Sequence, residues 1–227
     1  LFHRQVCKID VYLFDENGVY IEKLTDQVPT GSTFAKGYIM GLPEAYKEAV
    51  QFVAFAGLHE EQSKSTNMIP GASTINDLHV ALNDRVNNIV DCSLRPMWHG
   101  NIAFARTRVA RNDTTTISLT KNTNNIRIVL QSLDDHLKVD VKDFSFLLES
   151  VNGKCNAHNE LVGQDCWYYR PYYTAKDNDA GAIAELHTLR LMNDRENRLK
   201  INQTANNKTT TLMDINLNKY INALKLQ

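Results

Sequence analysis

Apolar and polar residues alternate almost from the start of the chain. In Val6-Cys7-Lys8-Ile9-Asp10-Val11-Tyr12-Leu13-Phe14, the side chains of Cys7, Ile9, Val11 and Leu13 share one face and Lys8 and Asp10 the other. This is the period-two pattern of a half-buried strand. Asn17-Gly18 tolerates the positive φ of a tight turn, and Val19 to Leu24 supplies the return strand of a hairpin. A loop punctuated by Pro29, Gly31 and Ser32 precedes Phe34 to Leu42, and a connection from Pro43 to Lys47 leads into Ala49-Val50-Gln51-Phe52-Val53-Ala54-Phe55-Ala56. That nearly unbroken apolar run predicts a central strand covered on both faces.

From His59 to Ser73 the chain is polar and contains Pro70-Gly71, which marks a long loop. Ile75, Leu78 and Leu82 then recur at helical spacing behind a Thr74/Asp77 capping pair, predicting a short helix. Strand character returns at Asn101 to Val109. It recurs where Ile126, Ile128 and Leu130 alternate with polar residues, at Phe144, Phe146 and Leu148, at Leu186 to Met192 and at Leu199 to Ile201. Val139 and Val141 are out of phase with Phe144, so a turn or bulge is expected around Asp140 to Asp143. The tail from Asp214 to Gln227 sets Leu217, Ile221 and Leu224 on one helical face. Short strands separated by turn signals throughout predict an all-β protein, read as two tandem β-sandwiches. The threonine-rich stretch Asn112 to Thr116 places the boundary, giving domains 1–114 and 115–227. No internal sequence repeat relates the halves.

Charge and composition narrow the function. Lys and Arg total 25 against 26 for Asp and Glu, a net charge of -1 over 227 residues, so the basic footprint of a nucleic-acid partner is missing. No stretch approaches the roughly 20 apolar residues that span a bilayer as a helix. The chain opens at Leu1 without a methionine, and removal of an export signal is the expectation. Of four cysteines, Cys155 and Cys166 are near enough in sequence to close a small loop as a disulfide. Cys7 reads as a buried thiol and Cys92 falls in a loop. Catalytic signatures such as G-x-S-x-G, H-E-x-x-H, a phosphate-binding glycine loop or C-x-x-C do not occur, and seven dispersed histidines give no metal-ligand spacing. No catalytic residue, metal or cofactor is expected. His99, flanked by Trp98 and Gly100, reads as a histidine satisfied by backbone.

One segment concentrates aromatic surface: Cys166-Trp167-Tyr168-Tyr169-Arg170-Pro171-Tyr172-Tyr173. Two readings stand beside each other. Trp167, Tyr169, Tyr172 and Tyr173 form a stacking platform for sugars, or alternate rings of a strand pack inward while Arg170 lies over a ring face.

Several longer stretches resemble a known family. Val11-Tyr12-Leu13-Phe14-Asp15-Glu16-Asn17-Gly18, Phe52-Val53-Ala54-Phe55-Ala56-Gly57-Leu58 and Trp98-His99-Gly100 are similar to the first domain of the FimB-type fimbrial anchor subunits of Bacteroidota. In the second half, Leu119-Thr120-Lys121-Asn122-Thr123-Asn124-Asn125-Ile126-Arg127, Tyr169-Arg170-Pro171-Tyr172-Tyr173-Thr174 and Ala184-Glu185-Leu186-His187-Thr188-Leu189-Arg190-Leu191-Met192 resemble that family's recurring patterns. The resemblance implies two transthyretin-like, Greek-key sandwiches and a non-enzymatic place at the base of a type V fimbrium. It also implies fimbrial shaft or minor pilin subunits as partners, and an outer-membrane lipid anchor on a cysteine that precedes Leu1. The family usually continues beyond the region of Asp214 to Leu217, so the second sandwich is expected either to be truncated at its C-terminus or to have a divergent final strand. A glycan-binding surface lipoprotein using the aromatic segment is the alternative.

Overall fold

The computed structural model describes residues 5–27, 38–103, 114–132, 139–177 and 181–224. The expected run Phe34 to Leu42 is described only from Tyr38, where no strand forms, and 104–109 of the strand expected at Asn101 to Val109 lie outside the described residues. In chain order the strands are β1 (Lys8–Phe14), β2 (Tyr20–Gln27), β3 (Gln51–Ala56), β4 (Ser63–Ser65), β5 (His79–Leu82), β6 (Ile89–Val90), β7 (Trp98–Ala103) and β8 (Thr120–Lys121). They continue as β9 (Thr123–Leu130), β10 (Phe144–Ser150), β11 (Lys154–Asn156), β12 (Trp167–Tyr169), β13 (Tyr173–Asp177), β14 (Gly181–Leu189), β15 (Asn197–Ala205) and β16 (Lys208–Asn216). One short helix, α1 (Leu217–Ala223), follows. Among the described residues no helix is long and apolar enough to cross a membrane.

The β1–β2 hairpin forms as its sequence dictates. Gly18 adopts φ +76°, and Oδ1 of Asp15 accepts the backbone N–H groups of Asn17 and Val19 at 2.9 and 2.8 Å, fixing the turn from within. Where Ile75, Leu78 and Leu82 predict a helix, only one 3-10 turn forms, Ile75–Asp77, capped by Thr74 and Asp77. The chain then enters β5, because Leu78, Val80 and Leu82 also alternate with His79 and Ala81 and are all buried. Period two wins where a three-stranded sheet supplies the burial. At Asp140 to Asp143 the expected interruption is a 3-10 turn, Val141–Asp143, with the Asp140 carboxylate accepting from the N–H of Lys142.

The chain divides into two units, each crossed by several segments. The first comprises Leu1–Asn83, Arg95–Asn122 and Lys154–Val162, and the second Asp84–Leu94, Thr123–Gly153 and Gly163–Gln227. This differs from a single crossing at residue 114. β11 leaves its sequence neighbours to pair with β5, and β6 joins β12 in parallel. Long-range backbone pairing decides membership in both cases, and sequence distance carries no trace of it.

In the first unit a five-stranded sheet has the order β2-β1-β3-β7-β8 and a three-stranded sheet the order β11-β5-β4. The second unit repeats the count, with β16-β15-β10-β12-β6 and β13-β14-β9. Apart from β6–β12, these pairings are antiparallel. The β15–β16 hairpin turns through Asn206 and Asn207, both at positive φ, the conformation that asparagine tolerates best among residues with a Cβ.

Candidate interaction site

Strands β1 and β3 sit in the middle of the first unit's larger sheet and are buried on both faces. One face carries Tyr12, Phe14, Val53, Phe55 and His99. It meets the smaller sheet, where the Tyr12 hydroxyl donates to Oγ of Ser65 at 2.9 Å. His99 is 3% exposed, its ring lies 5.0 Å from that of Phe55, and its Nε2 pairs with the carbonyl of Ala157 at 2.9 Å. The expected backbone-satisfied histidine is what the structure contains.

The other face is shaped differently. Register across the sheet aligns Leu24, Val11, Ala54 and Gly100 in one row, with Leu13 and Phe52 on one side and Ala56 and Trp98 on the other. Ala54 and Gly100 make the floor shallow in side-chain volume, and the result is a groove of about 430 Å³. Tyr38, Met40 and Leu42 form one wall, while Ile117 and Leu119 form another. Residues 114–119 lie close over β7, since a Cβ on Gly100 would collide with the carbonyl oxygen of Ser118. Leu42 at the rim is 45% exposed and Ile39 beside it 84%. Within this sheet, β2 and β8 are the edge strands among the described residues. Apolar lining in the same sheet as an edge strand suits an extended peptide segment: main-chain groups give binding, and alternate side chains entering the groove contribute about 1.5–3 kcal/mol each when fully buried.

The aromatic segment resolves into separate environments. Trp167 and Tyr169 in β12 are 7% and 0% exposed, Tyr168 and Tyr172 are half-buried, and Tyr173 is 50% exposed. The indole of Trp167 packs on Gly153, leaving no space for a Cβ there. Tyr172 donates to Oε2 of Glu185 at 2.7 Å and packs its ring 4.4 Å from His187. The hydrogen bond to that carboxylate raises the Tyr172 phenol above its ordinary pKa. Alternation sends Trp167 and Tyr169 inward, so the four residues do not share one stacking surface. Arg170 makes no cation–π contact among the described residues.

No disulfide joins the cysteines. Cys155 is buried on β11 in the first unit, whereas Cys166 precedes β12 in the second, and both are thiols, as are Cys7 and Cys92. Nearness in sequence does not reveal that a unit boundary falls at Val162. His158 is exposed between them, and no cluster of three or more His, Cys, Asp or Glu side chains suited to a metal exists among the described residues.

Comparison with known proteins bears on the whole molecule. The family profile of the fimbrillin-A associated anchor proteins Mfa1 and Mfa2 matches residues 1–227. The chain belongs to this family. No curated protein matches it. A solved structure from Bacteroides thetaiotaomicron VPI-5482, described as that of a candidate polysaccharide-binding protein, is 32% identical and superposes with a TM-score of 0.81, covering 100% of this chain and 78% of that one. A candidate adhesin from Bacteroides ovatus is 19% identical with a TM-score of 0.78, covering 99% and 74%. The fimbrial anchor protein Mfa2 from Porphyromonas gingivalis is 16% identical with a TM-score of 0.75, covering 100% and 79%. At such identities the last two establish a shared fold.

In this member of the Mfa1/Mfa2 anchor family, the groove was not visible in the sequence as a site. Val11 and Ala54 read simply as buried strand positions. The available signal was the small residue Ala54 inside an otherwise bulky apolar strand, opposite Gly100 on β7. Tyr38, Met40 and Leu119 reach the groove from non-repetitive or edge segments, where no periodicity announces them.

Proposed function

We propose that this protein is an outer-membrane, lipid-anchored subunit that attaches or terminates a type V fimbrium by β-strand complementation. In this reading a fimbrial shaft or minor pilin subunit supplies the extended segment, and a lipid on a cysteine preceding Leu1 holds the protein at the cell surface. The observation that carries it is the match to the anchor family over residues 1–227. The apolar groove along β1, β3 and β7, next to the edge strand β2, supports it with a surface of suitable chemistry. Strand addition needs only backbone pairing and side-chain burial, so the reading requires no catalytic group.

The test uses the lipidated protein in its own outer membrane. Wild type should co-purify with fimbrial subunits in complexes that resist denaturant, and Ala54→Leu, which fills the groove floor, should lose them while retaining the circular dichroism of the parent. Recovery of no fimbrial subunit, or undiminished recovery with Ala54→Leu, overturns the complementation reading.

Glycan binding is the second reading, favoured by the description of the 32% identical Bacteroides thetaiotaomicron protein. Burial of Trp167 and Tyr169 speaks against the aromatic segment as its site.

A further inference from the structure

The edge strand β2 carries a charge pattern on its groove side. Register with β1 sets Glu22 opposite Leu13, Leu24 opposite Val11 and Asp26 opposite Ile9, and Ile9, Val11, Leu13 and Leu24 all line the groove. Residues directly opposite in an antiparallel pair share a face, so the rim of the groove along β2 reads acid, apolar, acid. Glu22, Leu24 and Asp26 are half-buried there, and neither carboxylate forms an ion pair among the described residues. The reverse face of the strand is committed within the sheet: the Lys23 ammonium lies 5.9 Å from the ring centroid of Tyr12, and the Thr25 hydroxyl donates to Asp10 at 2.6 Å.

The backbone of β2 supplies an independent observation. The N–H of Lys23 donates to Oε1 of Glu22 at 2.9 Å, so it points away from β1. Alternation along an antiparallel strand turns the N–H and C=O of Thr25 outward as well. The Glu22 carboxylate thus stands where the carbonyl of an incoming strand would accept, as a local cap on an edge open to pairing. At the other edge β8 is two residues long and offers no such run.

A second copy of the chain is a poor occupant. Antiparallel self-pairing keeps outward-pointing residues opposite one another, and its two longest registers are centred on Leu24 and on Lys23. The first opposes Glu22 and Asp26 twice, the second sets two Lys23 side chains together, and like charges directly opposite are destabilising.

We propose that β2 receives an extended segment in which an apolar residue is flanked, two positions away on each side, by lysine or arginine. The apolar side chain lies against Leu24 and enters the groove, and the basic side chains meet Glu22 and Asp26 once Glu22 leaves the Lys23 N–H. Acid, apolar, acid reads the same in both directions, so the requirement holds for parallel and antiparallel addition alike. The proposal rests on the strand-complementation reading and names the chemistry of the segment that the partner subunit supplies.

The experiment titrates the whole chain with the peptides Thr-Lys-Thr-Val-Thr-Lys-Thr and Thr-Glu-Thr-Val-Thr-Glu-Thr, followed by amide NMR shifts, beside co-purification of fimbrial subunits from outer membranes. Expected are shifts centred on Tyr20 to Gln27 and binding of the basic peptide about tenfold tighter at low salt, a gap that narrows as salt is added. Glu22→Gln/Asp26→Asn should erase the preference and lower recovery of fimbrial subunits several-fold, and Glu22→Lys/Asp26→Lys should invert the preference. Glu60→Gln/Glu61→Gln, the same loss of charge at exposed positions off β2, should change neither. Equal binding of the two peptides at β2, or undiminished recovery with folded Glu22→Gln/Asp26→Asn, overturns the charge rule and leaves strand addition standing. Wild-type protein that recovers no fimbrial subunit and shows no peptide shifts on β2 overturns both. Dimerisation of the chain with shifts on β2 assigns the edge to a second copy and overturns the proposal.

Discussion

The phenol of Tyr169 donates a 2.6 Å hydrogen bond to Oδ1 of Asn152, with Tyr169 0% and Asn152 1% exposed. The Asn152 amide in turn donates to the carbonyls of Leu189 and Arg190 at 3.1 and 3.3 Å, tying β12 to the end of β14. Burial pushes the Tyr169 phenol well above its ordinary pKa and keeps it a neutral donor. Tyr169→Phe strands a buried acceptor and should cost about 1–3 kcal/mol in urea unfolding. Tyr173→Ala, at an exposed ring of the same segment, should stay within about 0.5 kcal/mol. Equal effects of the two substitutions would contradict the alternation of environments.

Gly100→Ala tests how the groove wall is held. The added Cβ meets the Ser118 carbonyl, Ile117 and Leu119 together, so either β7 or residues 114–119 must shift. A loss of about 1–3 kcal/mol is expected from overpacking, with altered amide NMR shifts in 114–119. A variant as stable as the parent would mean that this segment adjusts freely.

Asp214 gives a pH dependence with a definite sign. The Arg198 guanidinium meets both of its oxygens at 2.6 and 2.7 Å and holds the carboxyl below its ordinary pKa. The folded value is depressed, so the pair's contribution is present above the unfolded value near ~3.9 and disappears as pH falls through the folded value. NMR titration should place the Asp214 midpoint below that of a model aspartate, and Arg198→Met should return it toward the ordinary range. An unmoved midpoint would remove Arg198 as the cause.

The sulfur chemistry is directly countable. Four thiols should react with Ellman's reagent after unfolding without reductant, and Cys155, 7% exposed, should react slowly in the native protein. Only two reactive thiols after unfolding would show that one disulfide forms, and peptide mapping would then decide whether it joins Cys155 and Cys166 as their spacing suggests.

Legibility of the fold followed the length and regularity of each pattern. β1 and β3 were clear because Cys7 to Phe14 and Phe52 to Ala56 satisfy period two or sustained burial without interruption. β16 was not, since Thr209, Thr210 and Thr211 face solvent and the strand is held by backbone pairing with β15. The terminal helix was placed correctly but begins only at Leu217, where Asn216 accepts from the N–H of Lys219 and caps it. At Ile75 to Leu82 two periods fit the same residues, and the tertiary partner decided between them.

The interleaving of the two units has a mechanical consequence. The chain passes between them at 83/84, 94/95, 122/123, 153/154 and 162/163. A pull exerted on one unit is shared among several covalent tethers, so rupture at one crossing leaves the two halves still roped together.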